Sequence, residues 1–171
     1  AALDNLCVMI LCTEVTPLDD PGNSMNQMKA AYRYHYLGDD SKTHTLNLDS
    51  DIAALQTDPQ LTMMCLILHE ADIASSAGMT YDLTKYETSI YMKEIGTKYA
   101  RPQHVIDFLN QICQRQFLSD AAQRLYAGNL ARIYALARAD IEVGDELYPE
   151  PQHSDFLLSF GQGEDASKTI N

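Results

Sequence analysis

Apolar residues recur three and four positions apart along almost the whole of this 171-residue chain. That spacing gathers them on one face of an α-helix, whereas a strand would need strict alternation. No alternating run longer than a few residues, no internal repeat and no low-complexity tract interrupts the pattern. The chain is therefore confined to helix-on-helix packing, and the expected fold is an all-α multi-helix bundle of six to eight helices.

The individual elements follow from the same spacing and from their breakers. Leu3, Leu6, Cys7, Ile10, Leu11 and Glu14 mark a first helix, ended by Pro17, Asp19, Asp20, Pro21 and Gly22. Met25, Met28, Ala31, Tyr32, His35 and Tyr36 mark a second, and Gly38 to Thr45 reads as a polar loop. Asp49 or Ser50 is placed to cap a short helix carrying Ile52 and Leu55. Asp58 followed by Pro59 predicts a helix start, because the carboxylate accepts from orphan amides and Pro at the first position loses no hydrogen bond. That helix is expected to run to about Ala74, with Ser75 to Gly78 as a loop. A helix through Leu83, Tyr86, Ile90 and Met92 ends near Gly96, another starts at Arg101-Pro102, and Ser119 caps a long one to about Ile141. Beyond Pro149 and Pro151, Phe156 to Phe160 offers a last apolar contact. Residues 1–160 are expected to be one helical domain and 161–171 a disordered polar tail.

Composition excludes several function classes. The chain has 24 Asp and Glu against 12 Lys and Arg, a formal charge of −12. General nucleic-acid binding needs clustered cations and is not expected. The longest apolar stretch, Leu61 to Leu68, is far shorter than the ~20 residues of a membrane span. Cys7, Cys12, Cys65 and Cys113 form no CxxC pair and lie in apolar stretches, so they are expected to be small buried hydrophobes in a soluble protein of a reducing, cytoplasmic compartment.

The segment Leu68-His69-Glu70-Ala71-Asp72-Ile73-Ala74-Ser75 carries the most chemistry. On a helix His69 and Asp72 are three residues apart, close enough in angle for imidazole and carboxylate to meet one metal, water or phosphate. The structural alternative is a core histidine bonded to a carbonyl and a carboxylate at a helix end. Glu70 and Glu87 read as solvated charges, Asp39-Asp40 as a loop, and His104 and His153 as surface or structural residues.

This segment resembles the His-x-Ala-Asp-(Ile/Leu)-Ser segment of the HD-superfamily phosphodiesterases, in particular the all-helical cyclic-nucleotide phosphodiesterase fold. Met9 to Val15 is similar to that family's Val-Leu-Ala-Thr-Asp-Met helix, with Glu14 where the family has Asp. Tyr86 to Gly96 resembles the Trp-Thr-x-x-Met-x-Glu-Glu helix, and Gln103 to Leu109 the Gln-Val-Gly-Phe-Ile-Asp run with a one-residue slip. The similarity covers roughly residues 3–115. It implies an HD/PDE-like helical fold and a phosphodiester hydrolase in which Asp72 is a ligand of a divalent metal. The family's upstream His-x-x-x-His and His-Asp motifs have no counterpart here; His35 and His44 lie in another region. The expectation is that this chain is the C-terminal part of a larger catalytic domain. Ile106 or Val105 stands near the place of the purine clamp, which argues against a cyclic nucleotide.

The phosphodiesterase domains of SidE-type bacterial effectors fit these departures. That resemblance implies catalysis by His69 with Glu14 as the acidic member and no metal cofactor. It implies a phosphoribosyl- or ADP-ribosyl-modified protein such as ubiquitin as substrate, and the host cytosol as location. An imidazole can attack or protonate at phosphorus, and a carboxylate can hold the tautomer that does so. Two other readings stand beside this one. Tyr126 to Leu136 is similar to a closing segment of metal-dependent amidohydrolase barrels, a fold that needs strands; Gly128-Asn129 is more simply a helix interruption or tight packing. A non-catalytic helical protein-interaction module would use Met25, Met28, Met63 and Met64 as an adaptable groove.

Overall fold

The computed structural model describes residues 2–14, 22–39, 48–144 and 147–148. Among them are seven helices and no strand. The elements are α1 (Ala2–Leu11), α2 (Ser24–Leu37), a short 3-10 helix (Ser50–Gln56), α3 (Pro59–Gly78), α4 (Tyr81–Glu94), α5 (Pro102–Gln111) and α6 (Asp120–Val143). The all-α expectation holds for these residues. His44, Asp40, His153, Phe156 to Phe160 and the expected tail lie outside them.

Local chemistry accounts for most of the boundaries. The side chain of Asn23 accepts from the Asn26 amide at 2.7 Å and opens α2. Gly38 closes it with φ of 65°, a left-handed position that glycine takes without a Cβ clash. Asp58 accepts from the Leu61 amide at 2.9 Å with Pro59 behind it. Thr80 and Ser119 cap α4 and α6 in the same way, accepting from Leu83 and Ala122. Asp49 stands before the short helix but makes no side-chain cap. Its carboxylate instead accepts from Gln27 Nε2 at 2.8 Å, while its amide donates to Gln27 Oε1 at 2.8 Å.

The expected end of α3 at Ala74 is corrected: the helix continues through Ser75, Ser76, Ala77 and Gly78. Ser75 Oγ donates back to the Asp72 carbonyl at 3.3 Å and Ser76 Oγ donates to Glu87 on α4. Ala77 and Gly78 are buried against neighbouring helices. Tertiary burial thus outweighs the loop preference of the two serines.

α3 is the central element. It packs against α1, α2, α4, α6 and the short helix, while α5 packs on α6 and α4. Two buried apolar clusters result. One joins Val8, Cys12, Met28, Ala31, Tyr32, Ile52 and Leu55 to Leu61, Cys65 and Leu66 in the first half of α3. The other joins Ile73 and Ala77 in its second half to Val105, Ile106, Leu109, Phe117, Leu130, Ile133 and Ala137. His69 and Glu70 fall between the two sets on α3.

Three further expectations change. Cys7 is exposed, although Cys12, Cys65 and Cys113 are buried as free thiols. Met25 and Met28 are wholly buried, so they do not line a groove. Gly128 lies in an unbroken α6 with open space around it. The close approach is instead at Gly78, where a Cβ would sit 2.8 Å from Tyr126 Cβ and Cγ. Beside it, Asn129 Nδ2 donates to the Gly78 carbonyl at 2.9 Å. No helix among the described residues is long and apolar enough to cross a membrane, and the absence of strands there leaves the barrel reading without its scaffold.

Candidate functional site around His69

Glu70 corrects the sequence reading most. It is buried and not a solvated charge. Leu66 four residues before it, and Ile73 and Ala74 three and four after, place it on the apolar side of α3. Its Oε1 accepts from the Leu118 amide and, at 3.1 Å, from the Ser119 amide, while Ser119 Oγ donates to Oε2. The carboxylate therefore satisfies amides at the start of α6, where a negative charge also meets the positive end of the helix dipole.

Lys29 on α2 is the second buried charge, and the sequence reading passed over it. Its position four residues after Met25 and three before Tyr32 sets it on that helix's buried side. Nζ donates to the Ile112 carbonyl at 2.9 Å. One turn on, Arg33 Nη2 donates to Gln114 Oε1 at 3.1 Å. Gln114 and Arg115 have φ of 53° and 57°, a strained region for residues that carry a Cβ. The Arg115 guanidinium lies over the Tyr134 ring, 4.2 Å from its centroid. The α5–α6 connection is thus held from within by Lys29, Arg33 and Glu70.

His69 stands beside these charges with 0% exposure. Among the described residues neither Nδ1 nor Nε2 has a hydrogen-bond partner. Burial, and secondarily the Lys29 charge, push its pKa down to about 3, so the ring is neutral at pH 7. Burial likewise lowers the Lys29 ammonium to about 8, with Arg33 acting in the same direction and Cys113 and Glu70 opposing it. Burial pushes the Cys113 thiol up to about 12 against the pull of Lys29. The other two described histidines differ: His35 Nε2 meets the Leu55 carbonyl at 2.8 Å, and His104 Nδ1 accepts from the Arg101 amide at 3.2 Å. His104 is therefore half-buried and acts as a helix-start partner.

The remaining sequence candidates are not brought to His69. Asp72 is exposed. Three residues turn roughly 300° on a helix, and that offset carries Asp72 out of the buried arc holding His69, Glu70, Ile73 and Ala74. Glu14 is also exposed, just past α1, with its amide on the Leu11 carbonyl at 3.2 Å. Among the described residues no group of three or more His, Cys, Asp or Glu could hold a metal ion. Glu87 is half-buried and accepts from Ser76, so it too is more than a solvated charge. No protein-family model, no curated protein and no solved structure matches this chain.

Proposed function

We propose that the chain belongs to a phosphodiester hydrolase of HD/PDE-like helical architecture, with His69 as the reacting imidazole. The observation that carries this reading is the double orphan at His69. A fully buried imidazole with neither nitrogen satisfied destabilises a fold, and such groups concentrate where chemistry requires them. It is also the residue on which the family resemblance converges. The neutral ring offers a free lone pair for attack at phosphorus, and Lys29 provides a nearby positive charge. Because the ring has no solvent contact, reaction there requires the layer over it to open. The substrate class proposed is a phosphoribosyl- or ADP-ribosyl-modified protein such as ubiquitin, and Asp72 and Glu14 enter as metal ligand or acidic member only in company with groups outside the described residues.

The test is hydrolysis of ADP-ribosylated ubiquitin and of a simple aryl phosphodiester. His69→Leu should abolish turnover while retaining helicity. Loss of turnover on adding chelator, and in Asp72→Asn, assigns the metal-dependent version; indifference to both assigns the metal-free one. Unchanged turnover in His69→Leu would sink the proposal.

A second reading, a non-catalytic helical interaction module, draws support from exposed apolar side chains. Leu3 and Ile10 on α1 are 71% and 58% exposed, and Ile67 on α3 is 54% exposed. It predicts that Ile67→Asp abolishes capture of a partner protein that His69→Leu leaves intact.

A further inference from the structure

We propose that Arg33 and Arg115 form a binding site for a diphosphate group at the connection between α5 and α6. Residues 24–37, 108–119 and 121–139 supply α2, the end of α5 with the connection, and most of α6. They hold six of the twelve Lys and Arg and none of the 24 Asp and Glu. In a chain of charge −12 this corner is an island of positive charge, and such islands draw anions. Hydrogen bonds gather three of its cations on one short stretch. Lys29 Nζ donates to the Ile112 carbonyl at 2.9 Å, and Arg33 Nη2 donates to Gln114 Oε1 at 3.1 Å. Arg115 is the next residue, with its guanidinium over the Tyr134 ring of α6, 4.2 Å from the centroid. Arg115 is exposed and Arg33 half-buried, so both are open to solvent. Among the described residues neither guanidinium pairs with a carboxylate, and the guanidinium N–H groups of Arg115 have no hydrogen-bond partner. Two carboxylates border the connection: Glu70 is already taken up by Leu118 and Ser119, and Asp120 is exposed at the start of α6.

The backbone points the same way. The left-handed φ values of Gln114 and Arg115 suit glycine, which takes them without a Cβ clash. The turn is pinned by the Arg115 amide on the Leu109 carbonyl at 2.9 Å and the Gln116 amide on the Cys113 carbonyl at 3.1 Å. Glycine at either position would relieve the strain, but it would remove the anchor of Arg33 or the Arg115 guanidinium itself. The strain is thus kept together with the side chains that hold and supply the charge. A guanidinium is a planar fork that matches two phosphate oxygens. Two such forks with a buried ammonium behind them match a ligand of two or more negative charges better than a single carboxylate. A diphosphate, free or as the ester of a nucleoside, is that ligand. Its binding requires no turnover at His69, so the site stands or falls apart from the hydrolase reading.

The experiment titrates the full chain with pyrophosphate and with ADP by calorimetry at low ionic strength. The expected result is saturable, one-to-one binding that weakens as KCl is added. Arg33→Gln and Arg115→Gln should each weaken it by at least about tenfold, the loss of a charge-assisted contact. Lys98→Gln removes another cation that lies over a tyrosine ring, that of Tyr99, and should leave the affinity unchanged. Gln114→Gly separates binding from folding: its thermal midpoint should hold or rise as the strain is relieved, while its affinity falls because Arg33 loses its anchor. Tighter binding of ADP assigns the site to a nucleotide, and equal binding of the two assigns it to the diphosphate alone. No saturable binding to the native chain, unchanged affinity in both arginine variants, equal weakening by Lys98→Gln, or arginine-dependent binding of an acidic peptide more tightly than pyrophosphate would each overturn the proposal.

Discussion

At the residue scale His69 shows how an imidazole can weaken a fold and still be kept. Its folded pKa of about 3 lies well below the unfolded value of 6.5. Above the unfolded value the ring is neutral in both states and pH does not matter through this group. As pH falls through 6.5 the unfolded chain takes up a proton that the folded chain refuses, so stability is lost at about 1.4 kcal/mol per pH unit until the folded ring protonates near pH 3. Leucine at this position has similar volume and no orphaned nitrogens. His69→Leu should therefore be neutral or stabilising by roughly 1–3 kcal/mol at pH 7. Its urea midpoint should fall less steeply than that of the native chain between pH 6 and pH 4. A mutant as acid-sensitive as the native protein would show that the carboxylates, and not His69, control that limb. Stabilisation combined with lost turnover would be the signature of a residue held for function.

At the element scale Gly78, in the α3–α6 contact, and Gly128, on the open side of α6, make opposite predictions. A methyl group at Gly78 would meet Tyr126 Cβ and Cγ at 2.8 Å and Cδ1 at 2.9 Å. Those atoms are fixed to the α6 backbone and cannot swing aside as a flexible chain end would, so Gly78→Ala should destabilise by about 1–3 kcal/mol through displacement of α6. Gly128 lies within α6 with nothing around its missing Cβ, so Gly128→Ala should stabilise by up to about 1 kcal/mol. Thermal melts of the two variants check both signs; a stabilising Gly78→Ala would mean that the helices are not in contact there. Sequence alone pointed to the wrong glycine, because Gly128-Asn129 sits in a recognisable dipeptide whereas Gly78 ends a run that resembles a loop. The helix starts at Asp58-Pro59, Arg101-Pro102 and Ser119 were legible because capping is a short-range interaction among neighbours in sequence. The end of α3 was not, because Ser76 is satisfied by Glu87 on another helix. Glu70 and Lys29 were hidden for a related reason. Their spacing from apolar neighbours marks the buried side, but their partners, the Ser119 and Ile112 backbone groups, are far away in sequence.

At the scale of the whole molecule α3 divides two cores, and the charged seam between them sets how the fold opens. The first cluster draws on α1 and the short helix, of 10 and 7 residues, whereas the second is anchored by the 24-residue α6; α2 gives Met28, Ala31 and Tyr32 to the first and Met25 to the second. Lys29 on α2 acts electrostatically on His69, which places α2 near the ring, and α2 packs on α3. The first cluster is therefore expected to open below the global unfolding energy, and that opening controls access to the imidazole. Carbethoxylation of His69 by diethyl pyrocarbonate, followed by peptide mapping near neutral pH, measures it directly. Leu55 is wholly buried in the short helix, and Leu55→Ala removes about 2–5 kcal/mol from the first cluster. If most of that loss is felt by the local opening, His69 modification should accelerate at least about tenfold, since ~1.4 kcal/mol corresponds to one decade. Ile133 is equally buried in the second cluster, and Ile133→Ala should leave the His69 rate nearly unchanged in water, because it weakens a unit whose opening is not needed. Equal acceleration by the two variants would mean that His69 is reached only by global unfolding. A hydrolase that worked through this imidazole could then not turn over in its folded state.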